Sequence, residues 1–365
     1  MFTLFSGLST YLTHRQSTVI DNNIFKLHYI YTFVILVACS IVVTAFQHFG
    51  NPIYCHSEGS KIETKLLNGY CWTRSTFSVV SAWNKKIGTA EEGGLIPYPG
   101  IDNSRKSKNE KLVYHSYYQW VGFVLFIQAV MFYIPRYIWK TYEDNHIKNI
   151  ILGLDQPICP EDVKKSNRAI LVRYLADSLN NNNLLFRTYV LTECLNLINV
   201  CIQMKLMDNF LSGQFSTYGW KALTLSNWDG EIRDDPMIRV FPRITKCIFY
   251  LFGSSGDVEK KDALCLLPIN IVNEKIYIFL WFWFYLLFII TVIGLTYRTV
   301  LICVPRSRYL SLKTRCLTNH DSLYALCKRL SIGDWFVLTM LSKNLDRINF
   351  RDVVVELSDN LYQKA

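Results

Sequence analysis

The chain has 365 residues, 50% of them hydrophobic and 15% aromatic, with a formal net charge of +10 and a slightly positive mean hydropathy. A soluble chain of this length divides into roughly two or three domains; here the apolar residues gather instead into long uncharged runs, which excludes that class. Lys and Arg are dispersed among acids without a dense basic block, so the charge does not point to nucleic acid, and none is expected as a partner.

Met1, Leu4, Phe5 and Leu8 recur at the spacing of one helical face, with Thr3, Ser6, Ser9 and Thr10 as the polar remainder. This suits a short amphipathic helix inside a wide pore or on a membrane surface, and equally a frayed terminus with accidental spacing. The opening MFTLFSGLSTYLTHR lacks a basic n-region and a sustained apolar core, so no signal peptide is expected and the amino terminus is assigned to the cytosol. No Asp, Glu, Lys or Arg occurs from Leu27 through Ser57, and a first span is assigned to 29–47. The connection 48–112 far exceeds the usual loop length, so structure or function of its own is expected there. It holds Cys55, Cys71, the Gly93-Gly94 turn signal and Pro97-Tyr98-Pro99-Gly100. The second span, 113–135, lies in a charge-free run that Arg136 and Lys140 close. Tyr117, Tyr118 and Trp120 at one end, and Tyr133, Tyr137 and Trp139 at the other, read as aromatic belts at the headgroup level.

Residues 136–185 are polar and charged, and Ile170 to Leu179 has helical spacing. The third span, 186–207, is the weakest, because Glu193, Asn196, Asn199 and Gln203 share one helical face. An intramembrane carboxyl must face a bundle interior or water. The stripe therefore lines an aqueous path or hydrogen-bonds across helices, the second being favoured. The connection 208–275 is again long, with Cys247 and Cys265 flanking Gly253-Ser-Ser-Gly256-Asp257 and a strand expected at Lys246–Phe252. A fourth span at 276–298 is stopped by Arg298, Arg306 and Arg308. The basic tail, 299–365, has helix-like patterns at Ser322–Leu330 and Asp334–Leu345.

Four spans put both termini on one side. Lys and Arg near the span ends give a weak orientation bias, which Lys106, Lys108 and Lys111 dilute. Each long connection carries two of the 11 cysteines, and disulfides persist outside the cell and rarely inside it. Two bridges among Cys55, Cys71, Cys247 and Cys265 are therefore expected in extracellular loops, with three connectivities open. A zinc site from Cys55, His56 and Cys71 lacks the close paired spacing of structural zinc motifs, and no metal or cofactor is expected. The spans offer no cluster of His, Asp and Glu, and Glu193 has no evident acid–base partner, so the chain is not expected to be an enzyme.

Six motifs, in order, carry a resemblance. They are Tyr117-Tyr118-Gln119-Trp120-Val121, Pro135-Arg136-Tyr137, Phe215-Ser-Thr-Tyr-Gly219, Asp235-Pro-Met-Ile-Arg-Val-Phe-Pro242, CLLPINIVNEKIYIFLWFWF from Cys265 through Phe284, and Ile332-Gly-Asp-Trp-Phe336. Over nearly its whole length the chain resembles the innexins, the invertebrate gap-junction family, and the insect-type members most. Viruses of parasitic wasps carry similar chains, and divergence at Gly59–Leu67 and Glu91–Asn109 leaves host and viral origin both open. The resemblance implies an all-α membrane protein: a four-transmembrane-helix bundle with an amino-terminal pore helix and lead-in (1–28), extracellular loops with small β elements, and a cytoplasmic helical domain. It implies a large-pore oligomer of six or eight subunits, homomeric or mixed with other innexins, seated in plasma-membrane lipid. Such a hemichannel docks to one on an apposed cell and passes ions and small metabolites. Alternative readings are a non-docking hemichannel and a four-span adhesion or scaffold protein. The family pattern pairs Cys55 with Cys265 and Cys71 with Cys247, and puts Met1, Phe2, Thr3, Leu4 and Phe5 at the pore entrance. No Asn-x-Ser/Thr sequon occurs, so the loops should carry no N-linked glycan to hinder docking.

Overall fold

The computed structural model describes residues 18–57, 62–84, 96–102, 111–151, 153–154, 160–224, 236–316 and 320–363. In chain order the helices are α1 (Asn23–Phe49), α2 (Thr64–Arg74), α3 (Val121–Glu143), α4 (His146–Ile151), α5 (Glu161–Asp177), α6 (Asn183–Phe210) and α7 (Phe215–Thr224). They continue with α8 (Pro236–Val240), α9 (Pro268–Cys303), α10 (Pro305–Lys313), α11 (His320–Arg329), α12 (Ile332–Asn344) and α13 (Arg347–Gln363). The strands are β1 (Tyr54–His56), β2 (Thr76–Val79), β3 (Leu112–His115), β4 (Ile244–Phe252) and β5 (Val258–Leu266).

Helices α1, α3, α6 and α9 are long and apolar enough to cross a membrane, with α6 the least apolar. The shortest, α3, has 23 residues, about 34 Å at 1.5 Å per residue, which exceeds a hydrocarbon core of about 30 Å. Asn22 caps α1 by accepting from the Phe25 N–H at 2.6 Å. Its next turn, Leu27–Thr32, is π-helical, and the Thr32 hydroxyl donates to the Leu27 carbonyl at 2.8 Å. Pro135 lies within α3. The chain divides into two compact units, and the boundary falls inside each of the four long helices.

The unit formed by Ile35–Ala129 and Cys201–Leu286 is built on a five-stranded antiparallel sheet of order β1-β5-β4-β2-β3. The expected strand at Lys246–Phe252 is most of β4. It turns into β5 where the Gly253 N–H donates to the Asp257 carbonyl at 2.7 Å and Gly256 takes φ +86°, a conformation that favours glycine. The charge-free run that begins at Leu112 starts in the sheet: Leu112–His115 is β3, a 3-10 turn covers Tyr117–Gln119, and α3 begins only at Val121. A strand and a bilayer both draw on β-branched and aromatic residues, so the start of such a run does not mark the start of a helix. Within this unit the backbones of α1 and α3 approach closely at Gly122. The Ser40 hydroxyl donates to its carbonyl at 2.8 Å, and a Cβ there would sit 2.7 Å from Thr44 Oγ1.

The other unit comprises Met1–Val34, Val130–Val200 and Leu287–Ala365. Its core gathers Trp139, Tyr189, Trp335, Phe336 and Val353 around α12. The sequence presents α12 as amphipathic, but Gly333 through Leu338 are all buried, as befits a central helix. Asp334 fixes its start, accepting from Ser331 Oγ (2.7 Å), Asn180 N (3.0 Å) and Asn182 Nδ2 (2.9 Å). Arg168 of α5 reaches Asp352 (2.7 Å) and Glu356 (2.8 Å) of α13.

Candidate functional site

Two disulfides staple the sheet. Cys55 in β1 bonds to Cys265, its register partner in β5 (S–S 2.01 Å), and Cys71 in α2 bonds to Cys247 in β4 (S–S 2.05 Å). All four cysteines are buried, and Asn68 Oδ1 accepts from the Cys55 N–H at 2.7 Å. The Cys55, Cys71 and Cys265 sulfurs lie within 4.8 Å of one another. Each is consumed in a bridge, so they offer no thiolate to a metal.

The Tyr117–Val121 motif is the hub beneath this sheet. The Tyr117 hydroxyl donates to the Val240 carbonyl at 3.0 Å, and its ring meets Phe241 edge-on at 5.7 Å. Tyr118 is fully buried 4.8 Å from Trp72, and its carbonyl accepts from Gln47 Nε2 at 2.8 Å. The Gln119 amide donates to the Trp72 carbonyl, and Val121 is fully buried. The motif thereby ties the start of α3 to α1, α2 and the segment after α8. The order of aromatics is thus not a plain pair of lipid belts: Tyr117, Tyr118 and Trp139 pack internally, whereas Trp120 (59% exposed) and Tyr137 (63%) stay outside. An amphipathic ring suits a protein pocket with one carbonyl partner as well as it suits a headgroup layer. Nearby, buried Glu274 of α9 holds Arg243 at 2.9 Å, and Asn270 donates to the Pro242 carbonyl at 2.7 Å. Sequence reasoning missed this pair, because its members are buried by tertiary packing that no local period announces.

In the other unit, Glu193 has a partner. Arg298 grips both carboxylate oxygens, Nη2 to Oε1 at 2.8 Å and Nε to Oε2 at 2.9 Å, and Asn22 Nδ2 adds a third contact at 2.8 Å. Arg298, read from sequence as a stop signal, neutralises the intramembrane acid from α9. His28 and Thr291 bond at 2.9 Å beside a small cavity that Asn22, Glu193 and Asn196 also line. Glu193, Asn196, Asn199 and Gln203 are all buried within the chain.

The lead-in to α1 is latched. Buried Asp21 meets Arg136 Nη1 at 3.1 Å and accepts the Tyr29 hydroxyl at 2.8 Å, while Arg136 lies over the Tyr29 ring at 4.9 Å. Arg136 is itself buried and does not project to solvent as a stop signal would. Trp139 Nε1 donates to the Ile20 carbonyl at 3.1 Å. Asn344 at the end of α12 holds both backbone groups of Val19: Oδ1 accepts from Val19 N (2.6 Å) and Nδ2 donates to Val19 O (2.8 Å). Lys343 donates to the Asp21 carbonyl at 3.3 Å, and burial, with Arg315 and Arg298 nearby, pushes its pKa down to about 8. Met1, Phe2, Thr3, Leu4 and Phe5 lie outside the described residues.

The innexin family model matches residues 21–361. Innexin inx2 of Schistocerca americana is 42% identical over 365 residues, covering 100% of this chain and 99% of the relative. Innexin shaking-B of Drosophila melanogaster is 44% identical over 363 residues (99% and 95%), and innexin inx2 of that fly 41% over 359 residues (98% and 95%). Residues 21–361 take in the stapled sheet, the Tyr117–Val121 hub, the Glu193–Arg298 pair and Asn344, and the chain belongs to the innexin family.

Proposed function

We propose that copies of this chain form a self-sufficient gap-junction channel whose docking platform is the disulfide-stapled sheet. Innexins are gap-junction channel subunits of the plasma membrane and a channel family rather than an enzyme family, and this chain is one of them. They act as oligomers; the finer reading is six or eight copies around one wide path, docked to a second ring on the apposed cell. The observation that carries this is the pair of bridges, Cys55–Cys265 and Cys71–Cys247, which ties both long connections into one sheet. Disulfides persist in oxidising surroundings, so connections 48–112 and 208–275 face outward and segments 136–185 and 299–365 face the cytoplasm. A rigid platform keeps its shape when two rings meet, which lowers the ordering cost of docking. The amino-terminal segment ahead of α1 supplies the pore helix and its lead-in, with Met1, Phe2, Thr3, Leu4 and Phe5 at the constriction, where pore width and apolar lining set passage. The hydrogen-bonded lead-in at Val19–Asp21 supports that assignment, since a helix lodged in a pore needs a fixed point behind it.

The test is conductance between two apposed cells that express only this chain, recorded beside dye uptake by single cells. Junctional current with both cells expressing supports the self-sufficient channel. Dye uptake without junctional current overturns homotypic docking, and neither signal from surface-exposed protein overturns the homomeric pore.

A further inference from the structure

Beyond α9 the chain becomes strongly basic. Arg298, Arg306, Arg308, Lys313, Arg315, Lys328 and Arg329 stand against the single acid Asp321 between residues 298 and 330. Four of these cations already have partners, Arg329 through the Leu361 carbonyl at 2.6 Å and Lys313 over the Tyr309 ring at 5.8 Å among them. Arg298 holds Glu193, and Arg308 donates to the Leu301 and Ile302 carbonyls at 2.8 and 2.7 Å, capping the end of α9. Arg306 and Lys328 are exposed and have no carboxylate or carbonyl partner among the described residues.

These two cations, from α10 and α11, border one cleft of about 330 Å³ that Pro305, Tyr309, Tyr324 and Cys327 complete. Tyr309 and Tyr324 meet edge-on at 5.7 Å and form its aromatic wall. Pro305 and Arg306 belong to the first turn of α10, so the positive end of that helix adds to the field. The volume suits one ring-sized ligand rather than a bare ion. Tyr297, Val300 and Ile302 are exposed along the last turns of α9, Val304 is exposed just after them, and Tyr324 of the cleft is itself exposed. Apolar surface therefore runs up to the cleft, and Arg306 is the first exposed cation after it. A basic, ring-sized cleft at the end of an apolar helix surface matches a ligand with anionic head and apolar tail.

We propose that this cleft binds the phosphorylated headgroup of an anionic membrane lipid, a phosphoinositide in chemistry, with Arg306 and Lys328 on its phosphates and the acyl chains along the exposed face of α9. The assignment uses the membrane reading of α9 but not the docking or pore reading. Binding in micelles does not depend on which side of a membrane the cleft faces, so failure of the channel and failure of this site are separable.

The test uses the full-length chain in detergent micelles and compares dioctanoyl phosphatidylinositol bisphosphate, dioctanoyl phosphatidylcholine and free inositol trisphosphate. The phosphoinositide should bind saturably, with both other probes much weaker. The double variant R306Q/K328Q should weaken it about thirtyfold, the loss of two headgroup-level cations, and R306K/K328R should restore it. Both side chains are exposed, and an unchanged oligomer elution profile confirms that the variants fold. Equal binding of phosphatidylcholine, or an R306Q/K328Q variant that binds as tightly as the parent, overturns the site. Inositol trisphosphate binding as tightly as the lipid overturns the lipid assignment in favour of a soluble phosphate.

Discussion

Removing the disulfides one pair at a time tests how the sheet is held. The two bridges close chain separations of 210 and 176 residues. Taken singly, the chain-entropy relation gives each about 5 kcal/mol. They are nested, however, so with one in place the other closes only the ring formed by Cys55–Cys71 and Cys247–Cys265. That ring spans the difference between the separations, 210 minus 176, or 34 residues, for which the same relation gives about 4 kcal/mol. It lies wholly between the end of α1 and β2 and between β4 and the start of α9, so no spanning helix shortens it. C55S/C265S and C71S/C247S should therefore destabilise the sheet by similar amounts, although one joins two strands and the other a helix to a strand. Hydrogen exchange of the β4–β5 amides in micelles reads the loss as a fall in protection of about three orders of magnitude in either double variant. The quadruple variant should lose less than a further 5 kcal/mol or so, because the larger loop contains α3 and α6, which stay helical in the unfolded reference. Unchanged protection in one double variant with collapse in the other would refute the nested-ring reasoning.

Breaking the buried pair by R298M or E193Q alone should cost about 3–5 kcal/mol, and the double variant less than the sum, measured as thermal loss of the oligomer in micelles. N344A removes two hydrogen bonds to Val19 and leaves both peptide groups short of a partner; about 2–4 kcal/mol is expected, read as faster exchange of the Val19 amide and altered open probability. A Cβ at Gly219 would lie 2.2 Å from the Trp281 ring, so G219V should reduce folded protein at the cell surface while leaving synthesis unchanged. Lys343 carries a pH dependence of definite sign. Its pKa is about 8 in the fold against an ordinary 10.5, so the unfolded chain binds the extra proton and stability rises as pH climbs from 8 toward 10.5. Protection of the Lys343-bonded segment should rise over that range in the parent and stay flat in K343M.

The four membrane helices were legible because a bilayer imposes a length and a polarity that no soluble fold imposes, and the apolar runs satisfy both. The polar face of α6 was legible through its helical period, and the structure buries all four of its residues. What closes on that face was not: Arg298 lies 105 residues beyond Glu193 and carries every mark of a topological stop. Asp21 and Arg136 hide in the same way, each resembling a flank of its own span while their contact joins the first span to the second. The aromatic residues of 117–139 misled because burial in protein and lodging in a headgroup layer ask for the same rings. Local pattern reports what a residue can do, and long-range packing selects which of those things it does.

The strand order β1-β5-β4-β2-β3 inserts the hairpin of the second long connection between strands of the first. The two connections share one sheet: among the described residues β1 pairs with β5, and the β2–β3 pair reaches the rest through β4. During synthesis β1 and both cysteines of the first connection must wait, unpaired and unbridged, until more than half of the remaining chain has emerged and β5 is delivered. The interval exposes Cys55 and Cys71 to each other as wrong partners, which assigns oxidative folding helpers a role in making this protein. For engineering, the two connections are one part: a transplant of the proposed docking platform from a relative should fold when both are exchanged together and fail when either travels alone.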